Sequence, residues 1–136
     1  MILLLESRHV DLLKKEARKT HPIEACAMLF GESTQKQVVV QKVIVVPNKL
    51  QSATRFEIHP ETVVKAITEA EQEGLDFLGL FHSHPAPATP SLIDHKFMKL
   101  WGDVVWVIYS STNGALAAYQ MKNGEVREVT IQIVRD

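Results

Sequence analysis

Two histidines, His82 and His84, end an apolar run that constrains the fold and the chemistry of this chain more than any other stretch. The run at residues 77–81 follows the turn signal Gly74 and is closed by Pro85, so it predicts a short buried strand. Side chains two residues apart on a strand point to the same face, at backbone positions roughly 6–7 Å apart. Both imidazoles can therefore converge on one ion.

A proline-rich loop leads from Pro85 to Ser91 and Asp94. Ser-x-x-Asp before an apolar-periodic run is typical of a helix start, with Ser91 at the N-cap and Asp94 in the first turn. If the loop returns Asp94 to the histidines, two imidazole nitrogens and one carboxylate oxygen make a three-ligand set that suits zinc. The fourth position is then left for water, as in catalytic sites, whereas a closed structural site needs another ligand.

Each of these residues also has an ordinary structural interpretation. A single histidine on a strand is usually a satisfied core or surface residue, and Ser91 with Asp94 can be no more than a helix cap. Taken one at a time, these interpretations are favoured. Their coincidence within thirteen residues favours a site, because packing alone rarely produces this combination.

One acidic residue, Glu24, stands at the start of the apolar run Ile23–Phe30, which is closed by Gly31 and predicts a strand. The ordinary interpretation of this acid is an exposed strand end. Cys26 lies on the same face two residues later, where a small buried residue is the expected role.

Taken together, the sequence HSHP at 82–85, the sequence PSxxD at 90–94 and the upstream Glu24 resemble the JAMM motif of the MPN+ zinc metalloproteases. The order of predicted helices and strands is similar to that of the family over nearly the whole chain, in a compact, prokaryotic-like form. The resemblance implies an MPN/JAB architecture, which is cytidine-deaminase-like.

The resemblance also assigns roles to five residues. It implies that His82, His84 and Asp94 hold one Zn²⁺ per chain, that Ser91 supplies a hydroxyl near the oxyanion, and that Glu24 is the general acid/base. The chain departs from the family pattern at one point, because six residues separate His84 from Ser91 where seven are usual.

The order of periodicities predicts a mixed α+β fold, with a curved, largely antiparallel sheet flanked by three helices that start near Ser7, Pro60 and Ser91. The third helix is expected to bury a face that includes Leu100. Asn-Gly pairs favour hairpins near the end of the chain. Further strands are predicted at Gln37–Val46, Arg55–Ile58, Val104–Tyr109, Ala115–Met121 and Glu125–Val134.

Length and composition limit what the protein can be. With 136 residues, of which 46% are hydrophobic, the chain predicts a single domain over 1–136. Fifteen basic and sixteen acidic residues give no reason to expect a nucleic-acid or membrane partner. The single cysteine excludes an internal disulfide, and the apolar stretch Met1–Leu5 is too short for a signal-peptide core. We therefore expect a soluble, cytoplasmic protein.

The family resemblance implies a zinc-dependent isopeptidase or peptidase that hydrolyses the bond after the C-terminal tail of a ubiquitin-like protein. Its partners would be conjugates of ubiquitin-like proteins or sulfur-carrier-like proteins. The sequence leaves open whether the chain forms a homodimer. The alternative is a non-catalytic MPN scaffold, although such members typically lack part of the metal set. A RadC-type domain finds no support in the charge balance, and a zinc deaminase is disfavoured because Pro-Cys-x-x-Cys is absent.

Overall fold

A computed structural model describes residues 1–135 of the chain. Within these residues no helix is both long and apolar enough to cross a membrane. The elements follow one another as β1 (Ile2–Glu6), α1 (Ser7–Thr20), β2 (Cys26–Ser33), β3 (Gln37–Val46), α2 (Pro60–Gln72), β4 (Asp76–His84), α3 (Leu92–Trp101), β5 (Val105–Ser110), β6 (Leu116–Lys122) and β7 (Glu125–Val134).

The strands form a closed barrel in the order β1-β3-β2-β4-β5-β6-β7. Four neighbouring pairs are antiparallel, and β1–β3, β1–β7 and β4–β5 are parallel. The predicted mixed α+β fold with a curved, largely antiparallel sheet is confirmed. Its closure by β1 was not predicted; β1 lies between β3 and β7 and buries Leu3 and Leu5 completely.

All three helices begin where the sequence indicated. α1 starts at Ser7, α2 has Pro60 in its first turn, and Ser91 is the N-cap of α3. The prediction that Leu100 lies on the buried face of α3 is wrong, because its side chain is 80% exposed. The buried residues of α3 are Asp94 and Met98. Leu100 follows Met98 by two positions, which turns it about 200° around the helix, away from that face.

The predicted strand Arg55–Ile58 is also wrong, because these residues belong to the irregular connection 47–59 between β3 and α2. Phe56 and Ile58 are buried, as the alternation indicated, but the backbone joins no ladder. The Asn48 side chain meets these backbone groups instead. Its Nδ2 donates to the Arg55 carbonyl at 3.1 Å, and its Oδ1 accepts from the Glu57 N–H at 3.2 Å.

β4 is the strand that positions the candidate site, and it is buried on both faces. Phe81 belongs to the same apolar cluster as Leu13 of α1. Leu80 belongs to a second cluster, with Met98 of α3, on the opposite face. Because side chains alternate along a strand, His82 lies on the same face as Leu80, beneath α2 and α3.

Candidate metal centre

His82 and His84 occupy the C-terminal end of β4, and both side chains are buried. Their Nε2 atoms lie 3.1 Å apart. This approach follows from the strand geometry, because residues two apart present their rings on the same face. Two ring nitrogens thus point into one small volume beneath α3.

α3 delivers a carboxylate to the same place. Ser91 and Asp94 form a capping box, in which Ser91 Oγ accepts from the Asp94 N–H at 3.1 Å and the Ser91 N–H donates to Asp94 Oδ2 at 2.9 Å. The same Oδ2 lies 3.2 Å from His82 Nε2 and 2.9 Å from His84 Nε2. The short loop between His84 and Ser91 therefore still brings Asp94 to the histidines.

Glu24 lies two residues before β2, which starts at Cys26 and not at Ile23 as predicted. Its side chain is only 1% exposed, and Oε2 lies 4.0 Å from His84 Nε2. Oε1 has no hydrogen-bond partner among the residues that the structure describes. The backbone is fixed on both sides, since its N–H donates to the Ser52 carbonyl at 2.9 Å and its carbonyl accepts from Asn48 Nδ2 at 3.1 Å.

Burial and close contacts separate the proton affinities of these groups. Burial raises the pKa of Glu24 to about 8, with repulsion from Asp94 adding to the effect and His84 opposing it. Burial would also raise the pKa of Asp94, but hydrogen bonds with His82 and His84 hold it well below its usual range. Burial lowers the pKa of His82. For His84, burial is outweighed by the hydrogen bond and charge of Asp94 and by Glu24, so its pKa is raised.

The spacing of the donor atoms fits a metal ion. His82 Nε2, His84 Nε2 and Asp94 Oδ2 form a triangle with sides of 2.9, 3.1 and 3.2 Å. A tetrahedral zinc ion with bonds of about 2.0–2.1 Å holds its ligand atoms about 3.3–3.4 Å apart. Donor atoms of Glu24, His82 and His84 also lie within 4.8 Å of one another. The cluster is therefore of the size and chemical type that binds a metal.

Two cavities meet at Glu24. One, of about 670 Å³, is lined by His84, Ser91 and the loop 85–90. The other, of about 540 Å³, lies between the end of α1, residues 23–26 and residues 45–48. Because Glu24 lines both, this carboxylate lies between the two cavities.

Sequence reasoning missed two residues that fix Glu24 in place. In the sequence, Asn48 is only a polar residue that follows Pro47 after the predicted strand Gln37–Val46. Ser83 stands between the two histidines, and its Oγ accepts from the Ala25 N–H at 2.8 Å while its N–H donates to the Ala25 carbonyl at 3.0 Å. No local pattern distinguishes either residue, because their partners are 24 and 58 positions away in the chain.

Cys26 has a packing role, as expected, and burial raises its pKa to about 12, so the thiol stays protonated.

Comparisons with known proteins place the chain in a family. Residues 6–130 match the family described as "Prokaryotic homologs of the JAB domain". A protein of Pyrococcus furiosus named "Desampylase" is 38% identical over 112 residues, 82% of this chain and 76% of that protein. A Thermus thermophilus protein named "Probable TtuB-protein conjugate cleaving protease" is 37% identical over 130 residues, 94% of this chain and 79% of that protein.

A solved structure has the same fold. The solution structure of a Desulfitobacterium hafniense protein superposes with a TM-score of 0.87 at 28% identity, covering 100% of this chain and 94% of that one. The resemblance stated from the motif is confirmed by the family match and by the relatives. The chain belongs to the JAMM/MPN+ metalloprotease family, among the prokaryotic homologs of the JAB domain.

Proposed function

We propose that this chain is a zinc-dependent isopeptidase that hydrolyses the bond after the C-terminal tail of a ubiquitin-like protein. The names of the two curated relatives support this substrate class. The observation that carries the proposal is the convergence of His82, His84 and Asp94 within 3.2 Å, beside the buried carboxylate of Glu24. The substrate is a ubiquitin-like protein conjugate or a sulfur-carrier-like protein, and the single cysteine suits a cytoplasmic enzyme.

His82, His84 and Asp94 would hold one Zn²⁺ per chain, and Glu24 would stay outside the ligand set. Asp94 Oδ2 lies at 2.9 Å from His84 Nε2, whereas the Glu24 carboxylate lies at 4.0 Å from the same atom. When bound, zinc supplies Lewis acidity, which polarises the scissile carbonyl and lowers the pKa of water toward neutrality.

Glu24 is the proton carrier in this proposal. A general base works best when its pKa lies near the operating pH, and burial raises the pKa of Glu24 to about 8 in the metal-free protein. Its carboxylate accepts a proton from the attacking water and then delivers it to the departing amine. Its backbone bonds to Ser52 and Asn48 hold it in one position through both steps.

Ser91 stabilises the oxyanion in this proposal. Its Oγ already accepts the Asp94 N–H, so the hydroxyl proton is left for a second partner. Ser91 also lines the 670 Å³ cavity with Glu24 and His84. A hydrogen bond donated from this hydroxyl to the tetrahedral oxyanion favours the transition state over the bound substrate.

The variant Glu24→Gln tests this assignment. It keeps the size of the side chain but cannot accept a proton, so we expect kcat for cleavage of a ubiquitin-like conjugate to fall about 10²–10⁴-fold. Zinc content should stay at one per chain. His82→Ala should lose zinc and activity together, because it removes a ligand. Glu71→Gln, on the exposed surface of α2, is the matched control and should cleave normally.

Near-normal cleavage by Glu24→Gln would overturn the proton-carrier role. Loss of zinc in Glu24→Gln would instead make Glu24 a ligand. Retention of zinc and activity by His82→Ala would overturn the ligand set.

A further inference from the structure

The two histidines are held by different means. His84 Nδ1 lies 3.4 Å from the Pro87 carbonyl, a polar contact that restrains its ring. His82 is fully buried, and its Nδ1 has no hydrogen-bond partner among residues 1–135. A histidine that binds a metal almost always donates its second ring N–H to a polar group, which fixes the orientation of the ring. The ring of His82 must be fixed in another way.

Two aromatic side chains enclose the ring of His82. Phe56 stacks on its face, with ring centroids 4.8 Å apart and an interplanar angle of 25°. Trp106 meets it edge-on, at 6.1 Å and 85°. Phe56 and Trp106 also contact each other at 6.1 Å and 62°. These are the offset-stacked and T-shaped geometries that aromatic pairs prefer, and all three rings are buried.

We propose that Phe56 and Trp106 are positioning residues for His82, and that their packing replaces the hydrogen bond that a metal-binding histidine normally makes through its second nitrogen. This inference rests on the proposed function, since it takes His82 as a metal ligand. The Nε1 atom of Trp106 likewise has no hydrogen-bond partner in the described part of the chain, so the surroundings of His82 on this side are apolar.

The proposal also gives the irregular connection 47–59 a role in the site. Phe56 comes from this connection, and Asn48 Nδ2 donates both to the Glu24 carbonyl and to the carbonyl of Arg55, the residue before Phe56. The same connection therefore restrains the backbone of Glu24 and packs against the ring of His82. It couples the position of the proton carrier to that of a ligand.

Phe56→Leu tests the proposal, because leucine keeps an apolar side chain but removes the flat ring. We expect zinc affinity, measured by competition with a chromophoric chelator, to fall about 10-fold, as when an outer partner of a ligand is lost. Phe77→Leu is the matched control. Phe77 packs against the same cluster and contacts the rings of Phe30 and Trp101, both at 5.7 Å. The Phe77→Leu protein should lose thermal stability and keep its zinc affinity. Phe56→Tyr, which retains the ring, should bind zinc as tightly as the unaltered protein.

A second measurement uses the unaltered zinc-loaded protein and decides the matter even if Phe56→Leu does not fold. Nitrogen-15 NMR of the imidazoles should show a hydrogen-bonded Nδ1–H for His84 and none for His82. A hydrogen-bonded Nδ1–H at His82, or a folded Phe56→Leu protein with unchanged zinc affinity, would overturn the inference. Failure of the unaltered protein to bind zinc is a separate outcome, which would overturn the proposed function and this inference with it.

Discussion

A single oxygen atom, Oδ2 of Asp94, serves both the start of a helix and the candidate metal site. It accepts the Ser91 N–H of the capping box and lies within 3.2 Å of both histidine Nε2 atoms. The first turn of α3 and the proposed ligand set therefore share an atom. Any change at this residue acts on both, and substitutions that differ in charge can separate the two roles.

Asp94→Asn should preserve the helix and lose the metal. The amide oxygen of asparagine can still accept the Ser91 N–H, but the side chain carries no negative charge for the cation. We expect zinc affinity to fall by more than the about 10–100-fold typical of losing an outer partner. Asp94→Ala should lose zinc and, in addition, about 0.5–1.5 kcal/mol of stability, because the hydrogen bond from the Ser91 N–H to Oδ2 is gone. Zinc titration and thermal unfolding of the metal-free proteins measure the two effects. An Asp94→Asn protein that keeps full zinc affinity would contradict the assignment.

Glu24 should lower the stability of the metal-free protein progressively as pH rises from about 4.5 to about 8. In this range the unfolded chain has released the Glu24 proton, whereas the folded chain retains it because burial raises the pKa of Glu24 to about 8. The unfolded state binds fewer protons, so this group lowers stability by at most about 1.4 kcal/mol per pH unit. Glu24→Gln should remove this component, and denaturant unfolding at pH 5 and pH 8 with chelator present compares the proteins. Identical pH dependence in both would refute the shifted pKa.

At the scale of residues, the sequence predicted the side chains that converge at the candidate site better than those that hold them in place. His82, His84, Ser91 and Asp94 could be found because their spacing follows from strand and helix periodicities. Phe56 could not, because its contact with His82 depends on the path of an irregular connection that no local pattern encodes.

At the scale of elements, the connection 47–59 shows how a buried side chain can replace a strand ladder. Arg55 to Ile58 has the alternation of a strand, and its apolar residues are buried as that alternation predicts. The backbone groups of Arg55 and Glu57 bond to the Asn48 side chain in place of a neighbouring strand. Alternation reports which side chains are buried, and it cannot report what the backbone binds.

Asn48→Ala should therefore destabilise the protein strongly. It removes the side-chain groups that meet the Glu24 and Arg55 carbonyls and the Leu50 and Glu57 N–H groups, and a buried polar group left without a partner costs about 1–3 kcal/mol. Asn113→Ala is the control, because this residue is exposed and its side chain accepts from the Ala115 N–H at 2.9 Å. Equal losses in the two variants, measured by denaturant unfolding, would show that Asn48 does not organise the connection.

At the scale of the whole molecule, β1 closes the barrel. Leu5 is fully buried in the cluster under α1, so Leu5→Ala should cost about 2–5 kcal/mol. Leu12 is 37% exposed on α1, and Leu12→Ala should cost clearly less. Urea unfolding of the two variants compares them. A small loss in Leu5→Ala would mean that β1 contributes little to the stability of the barrel.

The closure of the barrel could not be predicted from the sequence, because the strands that pair with β1, β3 and β7, are distant from it in the chain. A five-residue apolar stretch is compatible with several structures, and the register that selects one joins Leu4 to Val39 on one side and to Gln132 on the other. The central elements were easier to predict, since helices and hairpins are specified by neighbouring residues.

The place of β1 in the barrel also means that β1 can detach without disturbing the strand that carries the two histidines. In the strand order, β4 lies three strands from β1 in one direction and four in the other. β1 is therefore on the far side of the barrel from His82 and His84. Brief detachment of β1 leaves the pairs of β4 with β2 and β5 in place. We expect the amides of β1 to exchange with solvent sooner than those of β4, so local opening at β1 would leave the candidate metal centre assembled.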